Sequence, residues 1–272
     1  MKKNLLIMAT FLMIATASWA QTNYKTFTVN GVSIKMIKVE GGTFQMGATS
    51  EQESDEYDAK PVHSVTLSDY YIGETEVTQE LWQAVCGVLP LGIKPRHSIG
   101  YIETIIDEMG PKRPVCHVHW EDCQSFILQL NILTGQHFRM PTEAEWEYAA
   151  RGGKKSRGYK YVGTNNPQVM WDRYVKPDPD YSGPKIEGTR DVKSLWPNEL
   201  GIYEMYGDLY EWCQDYYGNY SRDAQTNPTG PSRGSSRVQR GGRLGYGQAS
   251  VRSWDSPASR DKRNGLRLVL SK

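Results

Sequence analysis

The sequence predicts an α+β fold arranged as one loop-rich domain, and three observations carry that expectation. Short apolar runs of strand period near the N-terminus are broken by Asn-Gly and Gly-Gly, and three separate stretches have both a helix start and a helix stop. The long stretch from Lys155 to Ser236 is dense in Gly, Pro, Asn and Tyr, with no internal repeat of roughly 20–50 residues and no linker-like segment.

Taken in chain order, the first residues read Met1-Lys2-Lys3, then an apolar run from Leu5 to Ala17, then Ser18-Trp19-Ala20 before Gln21. Small residues at 18 and 20 suit signal peptidase, so residues 1–20 are expected to be a secretory signal peptide and 21–272 the mature domain. The apolar run falls short of the roughly 20 residues that span a bilayer, and no later stretch approaches that length. A periplasmic or secreted bacterial protein with no membrane span is the expectation.

Asn30-Gly31 lies between runs from Phe27 to Val39 in which Val32, Ile34 and Met36 alternate with polar residues. Asn-Gly favours the positive φ angles of a type I′ turn, so a hairpin is expected here. Further strands are expected over residues 39–47 and 62–67. The acidic loop from Glu51 to Asp58 between them reads as a solvated face. Thr78 caps a helix from Gln79 to Val85 that stops at Gly87, and a helix from Trp120 to Leu133 stops at Gly135. Thr142-Glu-Ala-Glu145 is a capping box for a helix that ends at Gly152-Gly153, with Trp146 and Ala149 or Ala150 facing inward.

Composition narrows the function classes. With 32 Lys plus Arg against 31 Asp plus Glu, the net charge of +1 gives no long-range field to draw nucleic acid or an anionic membrane. The 17 Tyr and 8 Trp against 5 Phe favour rings with a polar handle, which suit half-buried binding surfaces. The four cysteines, Cys86, Cys116, Cys123 and Cys213, permit three pairings or buried free thiols, and sequence does not choose. Cys116-His-Val-His-Trp-Glu-Asp-Cys123 contains zinc-type ligands. On a strand, however, Cys116 would face away from His117 and His119, which argues against a metal there. No Gly-x-Ser-x-Gly elbow, Walker loop or His-Glu-x-x-His helix occurs.

Several blocks share a further pattern: Gly41-Gly-Thr-Phe-Gln-Met-Gly47, Tyr71-Ile-Gly-Glu-Thr-Glu-Val-Thr-Gln-Glu-Leu-Trp82, Arg139-Met-Pro-Thr-Glu-Ala-Glu-Trp-Glu-Tyr-Ala-Ala-Arg-Gly-Gly153, Leu200-Gly-Ile-Tyr-Glu-Met-Tyr-Gly-Asp-Leu-Tyr-Glu-Trp212, and the end from Arg237 through Gly241-Gly242 to Asn264-Gly-Leu-Arg-Leu-Val-Leu270. In order and spacing they resemble the formylglycine-generating enzyme, or sulfatase-modifying factor, family over nearly the whole mature chain. That resemblance implies a variant of the C-type lectin fold. It also implies a structural calcium held by the side chains of Glu204 and Glu211 and the carbonyls of Gly207 and Leu209, although Glu204 and Asp208 depart from the family's usual residues.

The family's oxidases hold copper(I) on two cysteines just after the Gly-Gly, and a soft metal needs soft sulfur ligands. Here the last cysteine is Cys213, so copper and the formylglycine reaction are not expected. In their place stand Arg243, Tyr246, Arg252 and Trp254, residue types that favour recognition of a protein, peptide or glycan ligand. The preferred reading is therefore a non-catalytic binding or accessory module of the envelope, with a sulfatase among the candidate partners. The alternative is a sulfatase-maturating oxidase or related oxidoreductase that works by another mechanism. A binding face predicts Tyr246 and Trp254 exposed on one side.

Overall fold

In the computed structural model, the described residues are 23–52, 57–93, 97–99, 104–106, 108–169, 185–187, 189–242 and 247–272. The expected signal peptide, Arg243 and Tyr246 lie outside them. In chain order the elements are β1 (Tyr24–Val29), β2 (Val32–Val39), β3 (Gly42–Met46), β4 (His63–Leu67), β5 (Tyr70–Gly73), α1 (Gln79–Cys86), β6 (His97–Ile99), β7 (Thr104–Ile106) and α2 (Trp120–Thr134). They continue with β8 (Phe138–Arg139), α3 (Glu143–Ala150), β9 (Lys185–Glu187), β10 (Tyr210–Tyr216), β11 (Gln225–Thr226), β12 (Arg237–Arg240), β13 (Arg252–Asp255), β14 (Asn264–Gly265) and β15 (Val269–Ser271). Many short strands and few helices make an α+β protein, as the turn-rich sequence predicts.

A five-stranded sheet in the order β1-β2-β5-β15-β8 divides the interior. The strand period places alternate side chains on opposite faces. Ile34 and Met36 of β2 therefore join one apolar cluster, while Ile37 and Val39 join another. On the first face α1 and α2 cover the sheet, with Trp82 stacked on Phe126 at 4.7 Å. On the second face lie α3, through Ala144, Trp146, Ala149 and Ala150, and the strands β3, β4, β10 and β12. A four-stranded sheet β13-β12-β10-β14 and a three-stranded sheet β11-β4-β3 flank α3. A further three-stranded sheet has the order β6-β7-β9.

The local signals match the elements. The β1–β2 hairpin turns at Asn30 and Gly31 with φ of 46° and 84°, as a type I′ turn requires. Thr78 caps α1 by accepting the Leu81 N–H, and left-handed Gly87 and Gly135 end α1 and α2. The cap of α2 is one residue the sequence reading did not assign. His119 accepts the Asp122 N–H at 2.9 Å, and the Asp122 carboxylate accepts the His119 N–H at 3.2 Å. No strand spans 116–119, and His117 has φ of 57° with its Nε2 3.3 Å from Glu108. The two histidines thus serve a cap and a carboxylate contact. All four cysteines are free thiols.

Candidate functional site

The C-terminal frame converges on α3. β12 is central in its sheet, pairing with β10 on one side and β13 on the other, with Arg240 opposite Arg252 and Val238 opposite Trp254. After β12 the chain turns at Gly241, with φ of 95°, and Gly242 packs directly on the preceding turn. A Cβ at 242 would lie 2.3 Å from the Tyr210 nitrogen, so only glycine allows this approach.

Arg252 is not the exposed contact residue that the sequence suggests. It is 3% exposed, and its Nε and Nη2 donate to the two oxygens of Glu143 at 2.7 and 2.9 Å, while Nη1 donates to the Asp58 carbonyl at 2.9 Å. The guanidinium also lies over the Tyr220 ring at 3.9 Å. The physical reason is the buried charge of Glu143 at the start of α3, which needs a cation beside it. Arg240, fully buried, donates to Glu143 and to Glu147, each at 2.8 Å. Burial alone would raise the Glu143 carboxyl, but Arg252 and Arg240 overcome it and hold it at about 2. Trp254 keeps the expected place: it is 54% exposed on β13, with Tyr217 against it at 5.7 Å.

Next to this pair lies Asp215 on β10. Its Oδ2 accepts the Glu143 N–H at 2.9 Å, while burial first and the Glu143 charge second push its carboxyl up to about 8. Tyr220 donates to Glu143 at 3.2 Å, and His63 packs on the Tyr220 ring at 4.8 Å. Sequence reading missed Glu143, Asp215, Arg240 and Tyr220 because their partners are remote in the chain. The alternation of Glu at 143, 145 and 147 through a helix whose eight residues are all buried is matched by four arginines, Arg139, Arg151, Arg240 and Arg252.

Of the four residues expected at calcium, Glu204, Gly207 and Leu209 lie in the segment leading into β10 and Glu211 in β10 itself, and Glu204, Gly207 and Asp208 have positive φ. Glu204 accepts N–H groups of Lys193 and Leu195 at 3.1 and 3.2 Å. Glu211, fully buried, accepts from Arg267 and from Trp146 Nε1 at 2.7 Å. Among the described residues no three His, Cys, Asp or Glu side chains are arranged as metal ligands. Negative charge is nevertheless in excess. Glu76, 2% exposed, has no hydrogen-bond partner on either carboxylate oxygen, and its nearest ion-pair partner is Arg267 at 3.8 Å. Burial first, partly offset by Arg267 and reinforced by Glu204 and Glu211, holds the Glu76 carboxyl well above the usual range. Asp208 is pushed up to about 7 by burial and by Glu204, although the Arg190 N–H pulls the other way.

The described thiols lie apart from the C-terminal Gly241-Gly242 turn in sequence, the last being Cys213. Cys116, Cys123 and Cys213 are buried, and burial pushes the Cys116 thiol up to about 12 and the other two well above the usual thiol range.

Comparison with known proteins agrees with this frame: the model of the "Sulfatase-modifying factor enzyme 1-like domain" matches residues 21–272. The chain belongs to that family. Relatives include the "Chaperone protein LppX" of Paenibacillus barcinonensis, 33% identical over 230 residues that cover 69% of this chain and 74% of that protein. They also include the "Formylglycine-generating enzyme" of Streptomyces coelicolor, 28% identical over 248 residues, 76% of this chain and 77% of that one. Among solved structures, "Treponema denticola variable protein 1" superposes with a TM-score of 0.72 at 29% identity, covering 92% of this chain and 99% of that chain. The sulfatase-modifying factor fold is thereby established.

Proposed function

We propose that this family member is a non-catalytic binding or accessory module of the bacterial envelope that presents Trp254, in its C-terminal part, to a protein, peptide or glycan ligand. The observation that carries the reading is the joint loss of thiols and gain of an exposed ring. No cysteine follows Cys213, and Trp254 stands half-exposed on the edge strand β13. An exposed Trp over a second ring is the type of anchor that dominates binding energy when a partner covers it. Arg252 contributes by fixing β13 to α3 rather than by touching the ligand. That a chaperone protein shares this frame favours an accessory role. Among the described residues no helix is long and apolar enough to cross a membrane.

The deciding experiment incubates the protein with copper and a peptide carrying the sulfatase cysteine motif, then follows the peptide mass. No aldehyde is expected, and any turnover would reject the non-catalytic reading in favour of a maturating oxidase.

The calcium expectation, on Glu204, Gly207, Leu209 and Glu211, gains support from the Glu76 carboxylate, which has no hydrogen-bond partner. A divalent cation near the 204–211 segment would supply the positive charge that the buried Glu76, Glu204, Asp208 and Glu211 carboxylates lack beyond Arg267, with the Gly207 and Leu209 carbonyls as further oxygens. Calcium at about a hundred times its dissociation constant, added to chelator-treated protein, is expected to raise the melting temperature by roughly 5–10 °C. An unchanged melting temperature removes calcium from the proposal.

A further inference from the structure

The chain between β10 and β12, which pairs with β4 through β11, lines a cavity of about 540 Å³ beside the start of α3. Its size falls within the roughly 300–1,000 Å³ of small-ligand sites. Trp254 is not among its lining residues, whereas Arg252 is.

The chemistry of its lining is selective. The Arg, His, Asp and Glu side chains in it are Arg252, His63, Glu143 and Asp215; the His63 Nδ1 lies 3.2 Å from the Pro61 carbonyl, and no Lys is among them. Arg252 and Glu143 are bonded to each other at 2.7 and 2.9 Å, so neither offers a free charge. Asp215, with its carboxyl at about 8, carries a proton at neutral pH and is a hydrogen-bond donor rather than an anion. The rim is built of amides and hydroxyls: Asn219, Ser221, Gln225, Thr226 and Thr229. Tyr216 and Tyr220 add aromatic carbon.

An anion would meet a guanidinium already neutralised, and a metal or ammonium ion would meet a carboxylate already paired. An apolar ligand would strip water from several amides and hydroxyls without replacing their hydrogen bonds, which weakens binding strongly. A neutral molecule rich in hydroxyl groups, with apolar C–H faces to set against tyrosine, satisfies every part of this lining. A second cavity, of about 670 Å³, shares Pro228 and Thr229 with the first but is lined by Asp69, Arg139, Glu145 and Lys272, so the uncharged lining is confined to the first. We propose that the cavity beside α3 is a binding site for a short neutral oligosaccharide, separate from the Trp254 surface.

Saturation-transfer NMR on the full chain, with a panel of neutral mono- and disaccharides and with glucuronate and sulfate as charged controls, tests this. A neutral disaccharide is expected to bind saturably and to be insensitive to salt. Thr229→Trp, at an exposed position on the shared mouth, is expected to weaken binding by about tenfold or more, and Asn219→Ala to weaken it less. Trp254→Ala is expected to leave it unchanged. Unaltered melting temperatures of the variants establish that they fold. Absence of binding by every neutral sugar overturns the proposal, as does binding of the charged controls alone. It is equally overturned if Thr229→Trp has no effect or if Trp254→Ala abolishes binding. Copper-dependent peptide turnover would remove the non-catalytic reading without bearing on any of these outcomes.

Discussion

At the scale of single residues, charge inside α3's environment decides more than surface charge does. Arg240 is fully buried between Glu143 and Glu147, so Arg240→Ala removes the cation the two carboxylates share and leaves Glu143 with Arg252 alone and Glu147 with Arg151 alone. Breaking buried pairs of this kind costs about 3–5 kcal/mol, whereas Arg263→Ala, which removes the exposed partner of Asp261, costs at most about 1 kcal/mol. Urea denaturation should show a large drop in midpoint for the first variant and almost none for the second; equal midpoints would contradict the buried network. Asp215 supplies a pH signature. With a carboxyl at about 8 against an ordinary 3.8, the folded chain holds a proton that the unfolded chain releases. The stability linked to Asp215 is therefore full below about pH 4 and is lost as pH rises from there to about 8. Glu143, at about 2, behaves in the opposite sense: its contribution is present above about pH 4.5 and is lost as pH falls towards 2. Asp215→Asn should consequently gain on the parent protein in urea as pH is raised from about 5 to about 9. A gap between the two that stays constant with pH would reject this assignment.

At the scale of elements, α3 shows what a sequence reveals and what it conceals. Its start was legible because a capping box is local: Thr142 Oγ1 accepts the Glu145 N–H at 3.2 Å, and Glu145 accepts the Thr142 N–H at 2.9 Å. Thr142→Ala should cost about 1 kcal/mol and lower the melting temperature by roughly 2–4 °C. A melting temperature that does not move would show that Arg139, bonded to both Glu145 oxygens at 2.7 Å, holds the helix start without the hydroxyl. The β1–β2 hairpin and the stops of α1 and α2 were legible for the same reason, since Asn30, Gly31, Gly87 and Gly135 act on their own backbone. The site was less so. Arg252 reads in sequence as a ligand contact because residue type alone does not show that Glu143, 109 positions away, neutralises it. The cavity beside α3 depends on β4, β10, β11 and β13 meeting around it, and no periodicity in any one of them encodes that meeting. His119 escaped notice because histidine is an uncommon cap, although its spacing to Asp122 is that of a capping box.

At the scale of the whole molecule, the last strand ties both halves of the interior together. β15 lies between β5 and β8 near the middle of the five-stranded sheet, and its neighbouring residues face opposite sides. Val269 belongs to the cluster under α3, and Leu270 to the cluster under α1 and α2. Leu266 and Leu268 fill the second cluster, while Arg267 between them bonds Glu211 and the carbonyls of Gly73 and Tyr203. A strand that supplies side chains to both clusters couples their melting, so the two should unfold in one cooperative transition. Leu270→Ala is expected to cost about 2–5 kcal/mol through the cavity it opens, and Val269→Ala somewhat less. Each variant should melt in a single calorimetric peak at a lower temperature, with calorimetric and van't Hoff enthalpies still equal. If Leu270→Ala instead splits the peak, the α1–α2 side is an independent unit and the central sheet does not couple the two clusters.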